Sequence, residues 1–192
     1  MKNLLIVLGV IILICLVGSC SYNGMVSKDE NVKAKWAAVQ SDYQRRSDLI
    51  PNLVATVKGV ANFEKSTLVE VTEARAKATS IQVDPDKLNP ESIQKYQAAQ
   101  GQLSTALGRL LVASENYPNL KANENFSALQ VQLEGTENRI NVSRRDFNTA
   151  VQEYNTAIRS FPAVITAKIF GFDPKTGFAA DADAQKAPKV SF

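Results

Sequence analysis

The chain of 192 residues contains no histidine. That removes the usual general base, the commonest metal ligand and the base partner of a nucleophilic serine or cysteine together. Both cysteines, Cys15 and Cys20, fall in an N-terminal apolar segment, so the remainder has neither a disulfide nor a thiolate site. No basic run reaches five residues, and a net charge of +3 interleaved with acids gives no footprint for nucleic acid. The pairs Glu70-x-x-Glu73 and Glu134-x-x-Glu137 lack the histidines of a di-iron helical centre and read as solvated faces. No catalytic residue, metal or cofactor is expected, and the protein reads as a non-enzyme. No stretch alternates apolar and polar residues over a useful strand length, and no internal repeat is present.

What is present is helical periodicity. From Val32 to Ala78 apolar residues recur in alternating steps of three and four, a narrow seam along a rod about 70 Å long at roughly 1.5 Å per residue. Ser27-Lys28-Asp29-Glu30 has the form of a capping box, so this helix is expected to start afresh near Lys28 and to end near Ser80. Pro51 lies inside it and predicts a kink, because the Ser47 carbonyl loses its amide partner. Asn89-Pro90 opens a second helix toward Tyr117. Its Gly101 and Gly108 are expected at close approaches to a neighbour. A third seam runs from Phe126 to Phe161, and a brief fourth helix, Ala163 to Phe170, closes at Gly171. The fold class is therefore all-α: an elongated antiparallel up-and-down four-helix bundle, three long helices plus a short fourth. The division expected is an anchor over 1–26, a helical domain over 27–172 and a flexible tail over 173–192. That tail docks, if anywhere, through Phe178 and Phe192.

The first twenty-six residues bear on location. Lys2, an uncharged run from Leu4 to Val17 and the small residues before Cys20 resemble a secretory signal ending in a bacterial lipobox, with the Cys20 thiol as lipid attachment. The alternative is an uncleaved transmembrane helix from Leu4 to about Val26; Lys28, Lys33, Lys35, Arg45 and Arg46 after it would then place the domain in the cytoplasm. The lipoprotein reading, with the domain on the extracytoplasmic side, is preferred.

Arg45, Arg46, Asp48, Pro51 and Asn52 form the most unusual polar group. Arg46 falls on the apolar seam, where a charge is costly unless paired. Glu134, Glu137, Asn138 and Arg139 are the partners expected from the third helix. Two readings stand: a polar recognition site at the proline, or a buried ion-pair network that fixes helix register. Trp36, Tyr43 and Tyr154 read as core aromatics.

Several of these stretches together carry a resemblance. Tyr22-Asn23-Gly24-Met25-Val26, Gln44 through Val54, Tyr117 through Asn123, Thr136-Glu137-Asn138-Arg139-Ile140 and Tyr154-Asn155 are, in this order, similar to the LemA family. The resemblance implies a membrane-anchored antiparallel helical bundle of bacteria without enzymatic activity. It also implies partners among envelope proteins, a membrane metalloprotease among them. The function expected is a membrane-anchored scaffold or adaptor of the cell envelope. A sensor for a small ligand or peptide, with a pocket between helices near Pro51, is the second reading.

Overall fold

In a computed structural model, residues 2–59 and 63–179 are described. The expectation for Phe192 falls outside them. Six helices are described: α1 (Lys2–Lys58), α2 (Lys65–Ser80), α3 (Pro90–Ser114), α4 (Pro118–Lys121), α5 (Glu124–Arg159) and α6 (Ala163–Phe170). The chain is all-α, with no strand among the described residues.

The first helix departs from expectation at both ends. It does not restart at Ser27; α1 runs through Gly24, Ser27 and Pro51 for 57 residues, about 85 Å. Within the expected box, Asp29 pairs with Lys33 one turn on at 3.1 Å and with Lys175 of the C-terminal segment at 2.6 Å, the second a tertiary contact. The rod expected to continue to Ser80 stops at Lys58, and α2 folds back along α1, with Arg75 reaching Ser47. A continuous apolar seam survives such a reversal, because both halves face the same core; the periodicity could not distinguish the two. The long helices are thus four (α1, α2, α3 and α5), not three.

Elsewhere local chemistry places the boundaries. The Asn89 side chain accepts from the Ser92 amide with Pro90 in the first turn of α3, and Asn123 accepts from Asn125 and Phe126 at the start of α5. Gly171 ends α6 at φ 71°, a conformation that disfavours a side chain. Gly101 and Gly108 do not mark close approaches: both are exposed, and an added Cβ would meet nothing within 4 Å.

Cross-helix pairs fix direction. Lys28–Glu153, Lys35–Asp146 and Arg46–Glu137 run α5 antiparallel to α1, so the end of α5 lies beside Tyr22. Arg109–Glu70 and the Gln100–Ala78 bond do the same for α3 and α2. The buried apolar side chains form two clusters. One gathers Met25, Trp36, Tyr43, Tyr96, Phe147 and Tyr154. The other gathers Ile50, Leu53, Leu103, Leu110, Leu120 and Phe126.

Residues 172–179 are not a loose tail. They run back along α5, where two side-chain amides seven residues apart grip their backbone. Asn155 accepts from the Lys175 amide (2.9 Å) and donates to its carbonyl (2.8 Å); Asn148 does likewise for Phe178 (2.8 and 3.0 Å). Gly177 leaves room for this grip, since a Cβ there would sit 2.6 Å from the Asn148 Oδ1 and displace it. The Phe178 ring is thereby buried against Trp36, Tyr96 and Phe147.

Candidate functional site: a buried arginine layer and a terminal clasp

Arg46 lies between the two apolar clusters. Its side chain is 3% exposed and Glu137, its ion-pair partner at 2.9 Å, is 47% exposed. Nη1 also donates to Ser104 Oγ (2.8 Å), and Nη2 donates to the Gln100 side-chain oxygen (2.8 Å) and carbonyl (3.3 Å). The guanidinium stands 5.0 Å from the Tyr43 ring centre. Only Nε finds no acceptor among the described residues. A charge so placed costs little only if nearly every donor is used, and here α1, α3 and α5 are tied at one level. α3 supplies two partners, Gln100 and Ser104, and α5 one, Glu137; a slip of α3 along α1 would leave the buried Arg46 and Gln100 without each other.

The other residues singled out from the sequence do not join Arg46. Arg45, Asp48, Pro51 and Asn52 are exposed, and Asp48 accepts from Gln44 one turn earlier. Asn138 and Arg139 are also exposed and line a shallow groove between α1 and α5 with Lys35, Asp42, Val142 and Asp146. Cys20 is an exposed, free thiol on α1. Sequence reasoning missed Ser104 and Arg75; nothing in their spacing sets them apart. Gln100 stands between Tyr96 and Leu103 on the apolar seam of α3, and that position is its signal in the sequence.

Arg75 answers the proline. Pro51 has no amide for the Ser47 carbonyl, and the Arg75 Nε donates to that carbonyl at 2.8 Å from across the α1–α2 reversal. Ser47 is buried, so the carbonyl cannot turn to bulk water for a partner. Arg75→Ala is expected to destabilise the chain by about 1–3 kcal/mol. Pro51→Ala supplies a helical amide for the same oxygen and should offset much of that loss. A double-mutant cycle read by thermal melting checks this; strictly additive effects would discard the pairing.

A second polar group, absent from the sequence reading, clasps the end of the chain beside the first cluster. Lys33 pairs with Asp29, Glu30 and Asp86 (3.1, 3.1 and 2.8 Å). Lys175 pairs with Asp29 at 2.6 Å, donates to the Pro85 carbonyl and lies 5.4 Å from the Tyr154 ring centre. Hydrogen bonds that Lys33 donates to the Asp86, Glu30 and Asp29 carboxylates raise its pKa, and Lys33 in turn lowers that of Asp86. Burial pushes the Tyr154 hydroxyl up to about 12, and it donates to the Asp173 carbonyl. A cleft of about 490 Å³ opens here, lined by Asp29, Asp86, Tyr154, Phe172 and Lys175. The Tyr154-Asn155 dipeptide was the signal: one residue holds Asp173, the other Lys175. Among the described residues no group of three acidic or cysteine side chains could hold a metal ion.

Comparison with known proteins gives the arrangement a setting. Magnetosome protein MamQ 2 of Paramagnetospirillum magneticum is 27% identical over 172 residues, covering 79% of this chain and 62% of that protein. Magnetosome protein MamQ of Magnetospirillum gryphiswaldense matches to the same extent. Protein LemA of Metamycoplasma hominis is 25% identical over 126 residues, 66% of this chain and 54% of its own length. The chain thus spans between half and two thirds of the curated relatives it matches. The sequence profile of the LemA family matches residues 35–192, from the helix that carries Trp36 and Arg46 through the clasped C-terminal segment, and the chain belongs to that family.

Proposed function

We propose that this protein is a non-enzymatic, membrane-anchored scaffold of the bacterial cell envelope: a rigid four-helix bundle that presents its outer flanks to partner proteins. The observation that carries the reading is the continuity of α1. One uninterrupted helix begins with exposed Leu4, Leu5, Ile6, Val7, Leu8, Ile12 and Leu16 and ends with Val32, Trp36, Ile50 and Leu53 buried in the domain. An apolar lead joined to a folded domain without a hinge is a way to hold that domain at a fixed distance from a surface. Among the described residues no helix is long and apolar enough to cross a membrane. The sequence from Leu4 to Val17 nevertheless carries no charge, and several of its side chains lie outside those described. Attachment through acyl chains on the exposed Cys20 is the preferred form, with the domain on the extracytoplasmic side; a spanning helix is the other.

The polar residues support a scaffold rather than a sensor. Arg46 and Gln100 are buried and tie α1 to α3, leaving the outer face of α5 for contacts, where Val131, Asn138 and Val142 are exposed. A pocket at Pro51 is not favoured, because Pro51 is exposed and the cleft at Asp29 lies about 33 Å back along α1. Photoreactive groups at positions 131, 138 and 142 of the membrane-bound chain are expected to capture one defined envelope protein, an integral metalloprotease being one candidate. Groups at Val69 and Val112, exposed on α2 and α3, should not capture it. Equal capture at every position, or none, discards the scaffold reading. Intact mass distinguishes the anchors: a start at Cys20 with added acyl mass against an unprocessed Met1.

A further inference from the structure

We infer that α6 and the turn before it form a foot that rests in the lipid surface from which the domain rises. This rests on the anchor proposed above but adds a second, independent contact with the bilayer. Most helices here bury their apolar side chains; α6 does the reverse. Ala163 and Ala167 face the core, while Ile165, Ile169 and Phe170 are 55%, 71% and 60% exposed, and Phe161 in the preceding turn is 83% exposed. Ile165 and Ile169, four residues apart, lie along one side of α6, and Phe161 is exposed in the turn that leads into it. From Ser160 to Phe172 the only charge is Lys168; no carboxylate interrupts the patch. An exposed apolar stripe with a lone cation suits the boundary between acyl chains and anionic headgroups.

Its position names the occupant. Because α5 runs antiparallel to α1, the Phe161 turn and α6 sit at the end of the domain nearest the apolar lead. Phe170 and Phe172 pack on Tyr22, with ring centres 4.9 and 5.7 Å apart. Tyr22 is two residues, about 3 Å of helix, beyond Cys20. Whether the chain is held by acyl groups at Cys20 or by a spanning helix, the headgroup layer lies at this level. The exposed apolar side chains of the α1 lead and those of α6 therefore lie at the same end of the domain. The same geometry puts the Gly171 turn and Phe172, where the clasped segment begins, on the membrane side of the domain.

The test uses the full chain extracted from membranes and returned to vesicles of about three parts phosphatidylcholine to one part phosphatidylglycerol. Ile165→Trp, and separately Ile169→Trp, report contact with lipids brominated near the headgroup end of the acyl chain. Trp36, buried and about 24 Å beyond Cys20 along α1, is the built-in unquenched reference. Val142→Trp on α5 is the exposed control. Unchanged helicity confirms that each variant is folded. The foot predicts that the emission added at position 165 or 169 falls roughly twofold or more in brominated vesicles, while that added at 142 does not. Flotation of the chain with vesicles but no quenching at 165 or 169 overturns the foot and leaves the anchor. Failure to float removes both. A blue-shifted, unquenched tryptophan whose spectrum depends on protein concentration assigns the face to a second copy, which also overturns the proposal.

Discussion

Replacing Arg46 with alanine is expected to destabilise the chain by about 3 kcal/mol, lowering its melting temperature by roughly 6–12 °C for a protein of this size. The loss has two sources. The Gln100 side-chain oxygen, in a side chain 5% exposed, loses its donor at 2.8 Å, and a void opens between the two apolar clusters beside Tyr43. Glu137 contributes less, because its half-exposed carboxylate can turn to water. The asymmetry is itself testable: Glu137→Gln should cost under about 1 kcal/mol, since an amide oxygen can still accept from Arg46 and an exposed charge is weakly coupled. Arg46→Met, which keeps the packed stem and loses the donors, should fall between. Ellipticity at 222 nm during heating reads all three. If Arg46→Ala melts with the parent chain, the layer is not holding the helices, and the arginine would have to be explained by recognition instead. Partner capture at position 142 should survive in Arg46→Met, because nothing in the layer reaches that surface.

How much of this could be read from the residues depends on the range of the interaction. Helix starts set by one side chain, at Asn89 and Asn123, and the stop at Gly171 follow from chemistry within three or four residues. The reversal between Lys58 and Lys65 does not: the seam keeps its phase across it, and Gly59, directly after the last residue of α1, is a weak signal beside that unbroken phase. Ser27 and Glu30 satisfied a local pattern for a helix start, but the upstream residues are helical too, and Asp29 bonds to residues distant in sequence. The pairing of Arg46 with Glu137 was legible because both are polar residues among apolar ones and lie on helices expected to touch. Ser104, Arg75 and Lys175 were not, since each looks like an ordinary surface residue until the fold brings a partner to it: Arg46, the Ser47 carbonyl and Asp29. The docking of Phe178 was anticipated as an apolar residue in a polar tail, whereas the Asn148 and Asn155 grips emerge only once an extended segment lies beside α5.

Trp36→Ala should be the most damaging single change, at about 3–5 kcal/mol and roughly 8–15 °C in melting temperature. The indole is 1% exposed, with Tyr96 and Phe147 each 5.2 Å away and Phe178 stacked at 5.9 Å, so its removal leaves a cavity bordered by three rings from three separate segments. Rings cannot collapse into that space without leaving their own partners; Phe178 in particular is held by the backbone of residues 172–179. The response should therefore be local as well as global: the Lys175 and Phe178 amides, bonded to Asn155 and Asn148, should exchange with deuterium faster than the α1 amides around Ile50. Trp36→Phe separates the packing from the polarity of the indole. Its Nε1 finds no acceptor among the described residues, and an unpaired buried donor costs about 1–3 kcal/mol. Phenylalanine discards that donor while keeping most of the ring, so the two effects oppose and the variant should lie within about 1 kcal/mol of the parent. Should Trp36→Phe prove as harmful as Trp36→Ala, the indole nitrogen must be making a bond that matters, and the purely apolar account of this cluster fails. A near-neutral Trp36→Phe beside a crippling Trp36→Ala would instead establish that ring volume at this level fastens the C-terminal segment to α1.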